Sequence, residues 1–195
     1  MSNALRRRKT PLEFAEYLEI EQRETERNEF VGGQMYAIAG GTQAHHDAVS
    51  NAFVLLHASH SQHCRVYGQG FKVRIQRIGD DRCYYPDVFV TCQPGSADAQ
   101  YNEAPCVVVE VLSESTRRTD LSEKLDAYRA LASVQTYLCI DPTKAEVLLW
   151  RRSQGWQPEV VIGLKEQVPV ECGADSPLPG TQWLDMGALY RNIFP

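Results

Sequence analysis

The 195 residues are 43% hydrophobic and 23% charged, which suffices to bury one good core and reads as one globular domain. A formal net charge of −5 argues against avid, non-specific binding to nucleic acid, yet leaves a nuclease open because bound cations and local basic groups offset phosphate repulsion. No run approaches about 18 apolar residues and none follows the basic cluster of MSNALRRRKTP, so neither a membrane span nor a signal peptide is expected, and a cytoplasmic location is.

Thr10 and Pro11 form a helix start, with Thr10 as the cap and Pro11 in the first turn. The helix is expected to run to about Gln22, with Leu12, Ala15 and Leu18 facing inward and Phe14 beside them. NEFVGGQMYAIAGG follows, two short strands around the Gly32-Gly33 pair, a strong hairpin signal. From Thr42 to about His60, Ala48, Ala52, Leu55 and Leu56 recur at helical spacing, and Val49 and Phe53 widen the face of a long amphipathic helix. FKVRIQRI alternates Phe71, Val73 and Ile75 with Lys72, Arg74 and Gln76, a strand whose basic side faces either solvent or a phosphate backbone.

YYPDVFVTC enters a strand through Pro86, which cannot donate to a ladder and so belongs at a strand beginning, an edge or a bulge. Asp87 therefore sits where sheet pairing is interrupted. CVVVEVL is nearly continuous valine, as in a strand covered on both faces. Counting by twos puts Glu110 with Val108 and Leu112, and Val107, Val109 and Val111 on the opposite face. Burying either carboxylate alone costs several kcal/mol or more unless a cation or hydrogen-bond donors meet it. Two acids in neighbouring strands suggest a metal site; the alternative is a pair of solvated strand ends.

STRRTDLSEKLDAYRALA reads as a helix capped by Thr119 or Asp120, with Leu121, Leu125 and Tyr128 close to the face that carries Lys124. Asp120 and Lys124 stand at i,i+4, so an exposed ion pair is the ordinary reading of that lysine. TYLCID and AEVLLWR make a second hairpin around DPTK. The tail offers a short strand in EVVIG, a loop at SPLPG and a helical turn near Leu189, with no evident chemistry.

The six cysteines, Cys64, Cys83, Cys92, Cys106, Cys139 and Cys172, form no CxxC pair, and buried free thiols are expected. His57, His60 and His63 recur every third residue beside Cys64, a spacing that wraps around a helix instead of clustering, so exposed histidines explain them better than zinc.

The Pro-Asp entering one strand, the Glu at the end of an apolar strand and a lysine nearby resemble the PD-(D/E)XK, or restriction-endonuclease-like, superfamily. YPDVFVTC, VVEVLSEST, the spacing of Asp120, Lys124 and Tyr128, YLCIDP, NEFVGGQMYAIAGG and HHDAVSNAF resemble, more closely, the Uma-type family of bacterial endonucleases, over about residues 11–150. The superfamily usually places its lysine two residues after the acid, where this chain has Leu112; the Uma-type pattern takes it from the following helix, as Lys124. Gly33 stands beside Gly32 where the family often has an acidic residue before its glycine, whereas Glu29 matches the family's glutamate ahead of the hairpin.

The resemblance implies an α/β fold, a restriction-endonuclease-like mixed β-sheet flanked by helices with peripheral hairpins. The expected domain is 1–195, with a core of about 10–152 and flexible residues 1–9. It further implies a Mg-dependent (or Mn-dependent) nuclease: Asp87, Glu110 and the Val111 backbone carbonyl as metal ligands, Lys124 assisting the attacking water, and Glu29 completing the shell or holding an outer water. His45, Gln69 and Lys72 are weaker candidates for the edge of the site or a substrate groove. DNA is the expected partner and a symmetric homodimer the default assembly. The alternatives are a non-catalytic nuclease-fold module binding DNA or protein, and a metal-dependent phosphoesterase acting on small substrates.

Overall fold

The computed structural model describes residues 10–38, 40–60, 62–174 and 176–194; the flexibility expected of residues 1–9 lies outside them. The first helix, α1 (Phe14–Glu21), starts later than the Thr10-Pro11 signal predicts, because Glu13 is its cap and Glu16 accepts from the Glu13 N–H at 2.9 Å. Ala15 is exposed, and Tyr17 is the inward anchor. Its ring stacks on Phe30 and its hydroxyl donates to the Asn28 carbonyl at 2.8 Å. Tyr17→Phe removes that one bond and keeps the ring, so it should lower stability by about 1 kcal/mol in urea unfolding.

The strands β1 (Asn28–Val31) and β2 (Gln34–Ala37) form the expected hairpin. Gly32 and Gly33 both take positive φ, 54° and 82°, as the two-residue turn requires. A Cβ at Gly33 would clash with Pro11, so that position has no room for a side chain. The helix α2 (Gln43–His60) buries Ala48, Val49, Ala52 and Leu56. After it come β3 (Arg65–Gly68), β4 (Lys72–Ile75), β5 (Arg82–Tyr84), β6 (Val88–Thr91), β7 (Tyr101–Asn102) and β8 (Val107–Val111).

The next helical segment begins as α3 (Arg117–Thr119), passes through a π-helical turn over Asp120–Lys124 and ends as α4 (Leu125–Arg129). Asp120, expected as a possible cap, is instead buried inside it, and the Tyr137 hydroxyl donates to its carbonyl at 2.9 Å. The strands β9 (Thr136–Asp141), β10 (Glu146–Arg151), β11 (Pro158–Ile162), β12 (Gln167–Glu171) and β13 (Thr181–Asp185) lead to α5 (Met186–Leu189).

Among the described residues the strands form three sheets, ordered β2-β1-β5-β4-β7, β11-β10-β9-β8-β6-β3 and β12-β13. The 84–88 segment passes from the first sheet to the second, and Pro86 and Asp87 occupy the crossing. The strand β8 is buried along its whole length between β6 (antiparallel) and β9 (parallel). Val107, Val109 and Val111 pack toward α2, while Val108 and Leu112 pack with Leu125, Tyr128 and Tyr137, so the parity read from the sequence holds.

Three expectations change. The packed core extends past residue 152, since Val168, Val170, Leu184, Met186, Leu189 and Tyr190 belong to the α2-side cluster. The basic side of β4 is not a wet face: Arg74 pairs with Asp81 at 2.7 Å and lies 4.0 Å over the Phe14 ring. The cysteines are not all free, because Cys64–Cys92 and Cys106–Cys172 are disulfides, with Cys83 and Cys139 buried as thiols. Sequence spacing cannot reveal such pairs, whose partners are brought together only by sheet pairing and by the β12 return. No helix among the described residues is long and apolar enough to cross a membrane.

Candidate active site

The antiparallel register pairs Val88 with Val109, which leaves Asp87 opposite Glu110, one step beyond the last paired residues. Directly opposed residues on one face of a sheet have Cβ atoms about 4.5–5.5 Å apart. Asp87 is 9% exposed and Glu110 3%. The Gln69 side-chain amide donates to one Asp87 oxygen at 2.8 Å, and the Val111 N–H to the other at 2.7 Å. His45 Nε2 stands 3.5 Å from that second oxygen, at the start of α2.

Lys124 enters from the helical segment on the Val108 face. Its Nζ lies 3.0 Å from Glu29 Oε1, 3.2 Å from Glu110 Oε1 and 3.4 Å from Asp120 Oδ1. It is 5% exposed and sits 5.5 Å from the centroid of the Tyr84 ring. The π-helical turn carries both Asp120 and Lys124, and such turns recur at functional sites. Glu29, on the first sheet, also accepts from the Tyr85 N–H at 3.3 Å. The cluster therefore bridges both large sheets and the helical segment.

Burial disfavours the Lys124 charge, but Glu110, Glu29 and Asp120 outweigh it and hold the ammonium protonated well above the ordinary lysine range. Burial raises Glu110 well above the usual carboxylate range; Lys124 opposes this, and Asp120, Asp87 and Glu29 reinforce it. Asp120 is raised by burial against the pull of Lys124. Asp87 goes the other way: burial pushes it up, yet His45, Gln69 and the Val111 N–H hold it below its ordinary value. The hydrogen bond to Asp87 raises His45 against its own burial, with help from the Val111 backbone.

Four carboxyl groups thus face one lysine and one histidine. Two like charges 4 Å apart repel by about 4 kcal/mol at an effective dielectric of 20, more than a single hydrogen bond returns. The cluster is short of positive charge. Its donors are carboxylate oxygens with the Val111 backbone beside them, a hard-oxygen set that suits a divalent cation such as magnesium.

Of the predicted residues, Asp87, Glu110, Lys124, Glu29, Gln69, His45 and the Val111 backbone converge. Lys72 does not join them: its Nζ meets the Tyr85 hydroxyl at 3.1 Å, and that hydroxyl donates to Glu21. His60 is buried, with Nδ1 3.1 Å from the Leu56 carbonyl, and not exposed as expected. Asp120 was legible as a possible cap, as an i,i+4 neighbour of Lys124 and as part of the family spacing with Lys124 and Tyr128, and nothing in those readings announces its burial. The open recess lined by Gln93, Ser96, Asp98, Tyr101 and Glu103 contains none of these residues.

The profile of the Uma2 family, described as "Putative restriction endonuclease", matches residues 14–184. The chain belongs to the Uma2 family. Two uncharacterized proteins of Synechocystis sp. are similar to it. One is 34% identical over 141 residues, covering 71% of this chain and 73% of the relative. The other is 31% identical over 134 residues, covering 67% and 75%. A solved structure from Anabaena variabilis, titled a putative nuclease belonging to DUF820, superposes with a TM-score of 0.72 at 18% identity. It covers 94% of this chain and 100% of that one. The Uma2 chain accordingly has the restriction-endonuclease-like mixed α/β fold, and family and fold together support a nuclease.

Proposed function

We propose that this Uma2 chain hydrolyses phosphodiester bonds in nucleic acid, DNA before RNA, with a divalent metal ion held by Asp87, Glu110 and the Val111 carbonyl. The observation that carries the reading is the buried excess of carboxylates around Asp87 and Glu110, with one lysine among them. A divalent metal is typical of restriction-endonuclease-like proteins. When bound, Mg²⁺ or Mn²⁺ would neutralise phosphate charge and lower the pKa of a coordinated water.

The chain's own groups have distinct tasks. Lys124 is held as an ammonium, so it acts as a donor to the attacking water and to the phosphate, not as the base that removes a proton. Glu29, its nearest carboxylate at 3.0 Å, positions it. Gln69 and the Val111 N–H fix both oxygens of Asp87, whose remaining lone pairs stay available to a cation. His45 helps keep Asp87 ionised. A cytoplasmic location fits a nucleic-acid substrate and belongs to the same proposal.

A panel of single-stranded, duplex and branched DNA and RNA incubated with Mn²⁺ tests the activity. Wild type should cut at least one DNA substrate, and Asp87→Asn none; cleavage surviving unchanged in Asp87→Asn and Lys124→Gln would reject the assignment. His45→Asn supplies a finer check on Asp87. Without the histidine, burial pushes Asp87 upward, so its carboxyl should take up a proton at higher pH in an NMR titration of the metal-free protein; an unmoved titration separates His45 from Asp87.

A further inference from the structure

Four of the six cysteines converge at one place, at the opposite end of β6 and β8 from Asp87 and Glu110. Cys64 precedes β3, Cys92 follows β6, Cys106 precedes β8 and Cys172 follows β12. The β3–β6 register, which pairs Arg65 with Thr91, puts Cys64 directly opposite Cys92. Cys106 is fixed through its backbone: its N–H donates to the Val90 carbonyl, and its carbonyl accepts from Gln135 and Thr136. Cys172 is brought beside it because Thr136 bonds the backbone of Glu171 on both sides, accepting at 2.9 Å and donating at 3.0 Å.

Two independent staples would not need to touch. Here Cys92 Sγ and Cys106 Sγ, which are not bonded to one another, stand 3.9 Å apart. The sulfurs of Cys92, Cys106 and Cys172 all lie within 4.8 Å of one another; Cys64 Sγ stands outside that group but is bonded to Cys92, so breaking that bond frees it to turn inward as the fourth ligand. Zinc–sulfur bonds of about 2.3 Å in a tetrahedron put neighbouring sulfurs roughly 3.8 Å apart, close to the 3.9 Å between Cys92 and Cys106. Among the described residues, no other group of three histidine, cysteine or acidic ligands is gathered this closely.

We propose that Cys64, Cys92, Cys106 and Cys172 are the four ligands of one soft divalent cation, zinc by preference, and that the two disulfides are the oxidised form of this site. Reduction of each S–S bond by a dithiol consumes two electrons and two protons and leaves the reductant as a disulfide. The four thiols then lose four protons as their thiolates bind one Zn²⁺. Oxidation by two equivalents of a small-molecule disulfide re-forms both bonds, leaves the oxidant as four thiols with four protons taken up, and expels the ion. Four sulfur ligands close the coordination shell, so the role is structural. The ion would join β3, β6, β8 and the end of β12 at the edge remote from the acidic cluster. Cys92, half-buried, is the side open to entry, with Ser176 Oγ 3.4 Å from its sulfur.

The test uses the full chain reduced with a phosphine and loaded separately with Zn²⁺ or Co²⁺. Wild type should retain one zinc per chain through gel filtration, and cobalt should give the visible absorption of a tetrahedral tetrathiolate. Both should be lost in Cys106→Ser and Cys172→Ser and kept in Asp87→Asn with Glu110→Gln, which separates this site from the acidic one. Because the cysteine variants could misfold, alkylation of reduced wild type provides a second readout. Zinc should shield Cys64, Cys92, Cys106 and Cys172 together, as mapped by peptide mass spectrometry. A folded, reduced wild type that retains no zinc, or zinc that shields none of the four, overturns the proposal.

Discussion

Replacing Lys124 by methionine should destabilise the protein by about 3–5 kcal/mol, the usual cost of removing one partner from a buried ionic group. Methionine keeps most of the stem volume, so the loss reports charge and not a cavity. It leaves Glu110, Glu29 and Asp120 without the ammonium that now stands within 3.4 Å of all three. The loss should shrink as pH falls, because protonated carboxyl groups no longer need a cation. Urea unfolding at neutral and acidic pH measures both effects. A loss below about 1 kcal/mol at neutral pH would make Lys124 an ordinary surface pair, the reading its i,i+4 spacing from Asp120 first suggests.

Glu110→Gln should do the opposite to the metal-free protein and raise its stability. The folded-state pKa of Glu110 lies well above its ordinary value of 4.5. Between the two values the folded chain holds a proton that the unfolded chain has released, so stability is full below the unfolded pKa and falls as pH rises through the folded one. Glutamine removes that decline, and each unit of displaced pKa corresponds to about 1.4 kcal/mol. Thermal unfolding across pH should therefore give a flatter profile for Glu110→Gln, with the larger Tm at neutral pH, while Mn²⁺ no longer shifts it. A variant less stable than wild type at every pH would mean that the Lys124 pair, and not burial, governs Glu110. A residue that costs the empty fold stability and supplies an oxygen to a cation is what a functional carboxylate looks like energetically.

The legible part of this site follows from local pattern. An unbroken valine strand reveals which face Glu110 shares, because strand parity is fixed by geometry alone. Pro86 marks the interruption at Asp87 because its missing N–H excludes it from a ladder. Lys124 is different: Leu112 holds the usual lysine position, and family resemblance, not spacing, points to the helix. The structure then brings its Nζ to 3.2 Å from Glu110 through a π-helical turn that no periodicity signals.

What the sequence conceals is long-range. Tyr17 is missed as the anchor of α1 because its partners, Phe30 and the Asn28 carbonyl, belong to the hairpin. The strands β12 and β13 are missed because Pro169 interrupts QVPVE and alternation is weak in TQWLD; β13 packs on α2 and on the single turn of α5, and β12 on β10. The cysteines converge only because β3, β6, β8 and β12 meet at one edge. Each depends on residues far apart in the chain, and composition carries no trace of that.

Calorimetric titration of Mn²⁺ into wild type, Asp87→Asn and Glu110→Gln tests the metal-dependent site most directly. Wild type should bind the ion, and more weakly as pH falls, because burial raises Glu110 above the usual carboxylate range and a proton then competes with the cation. Both variants should lose the binding. Equal binding in all three would contradict the assignment of Asp87 and Glu110 as ligands, and with it the proposed nuclease chemistry.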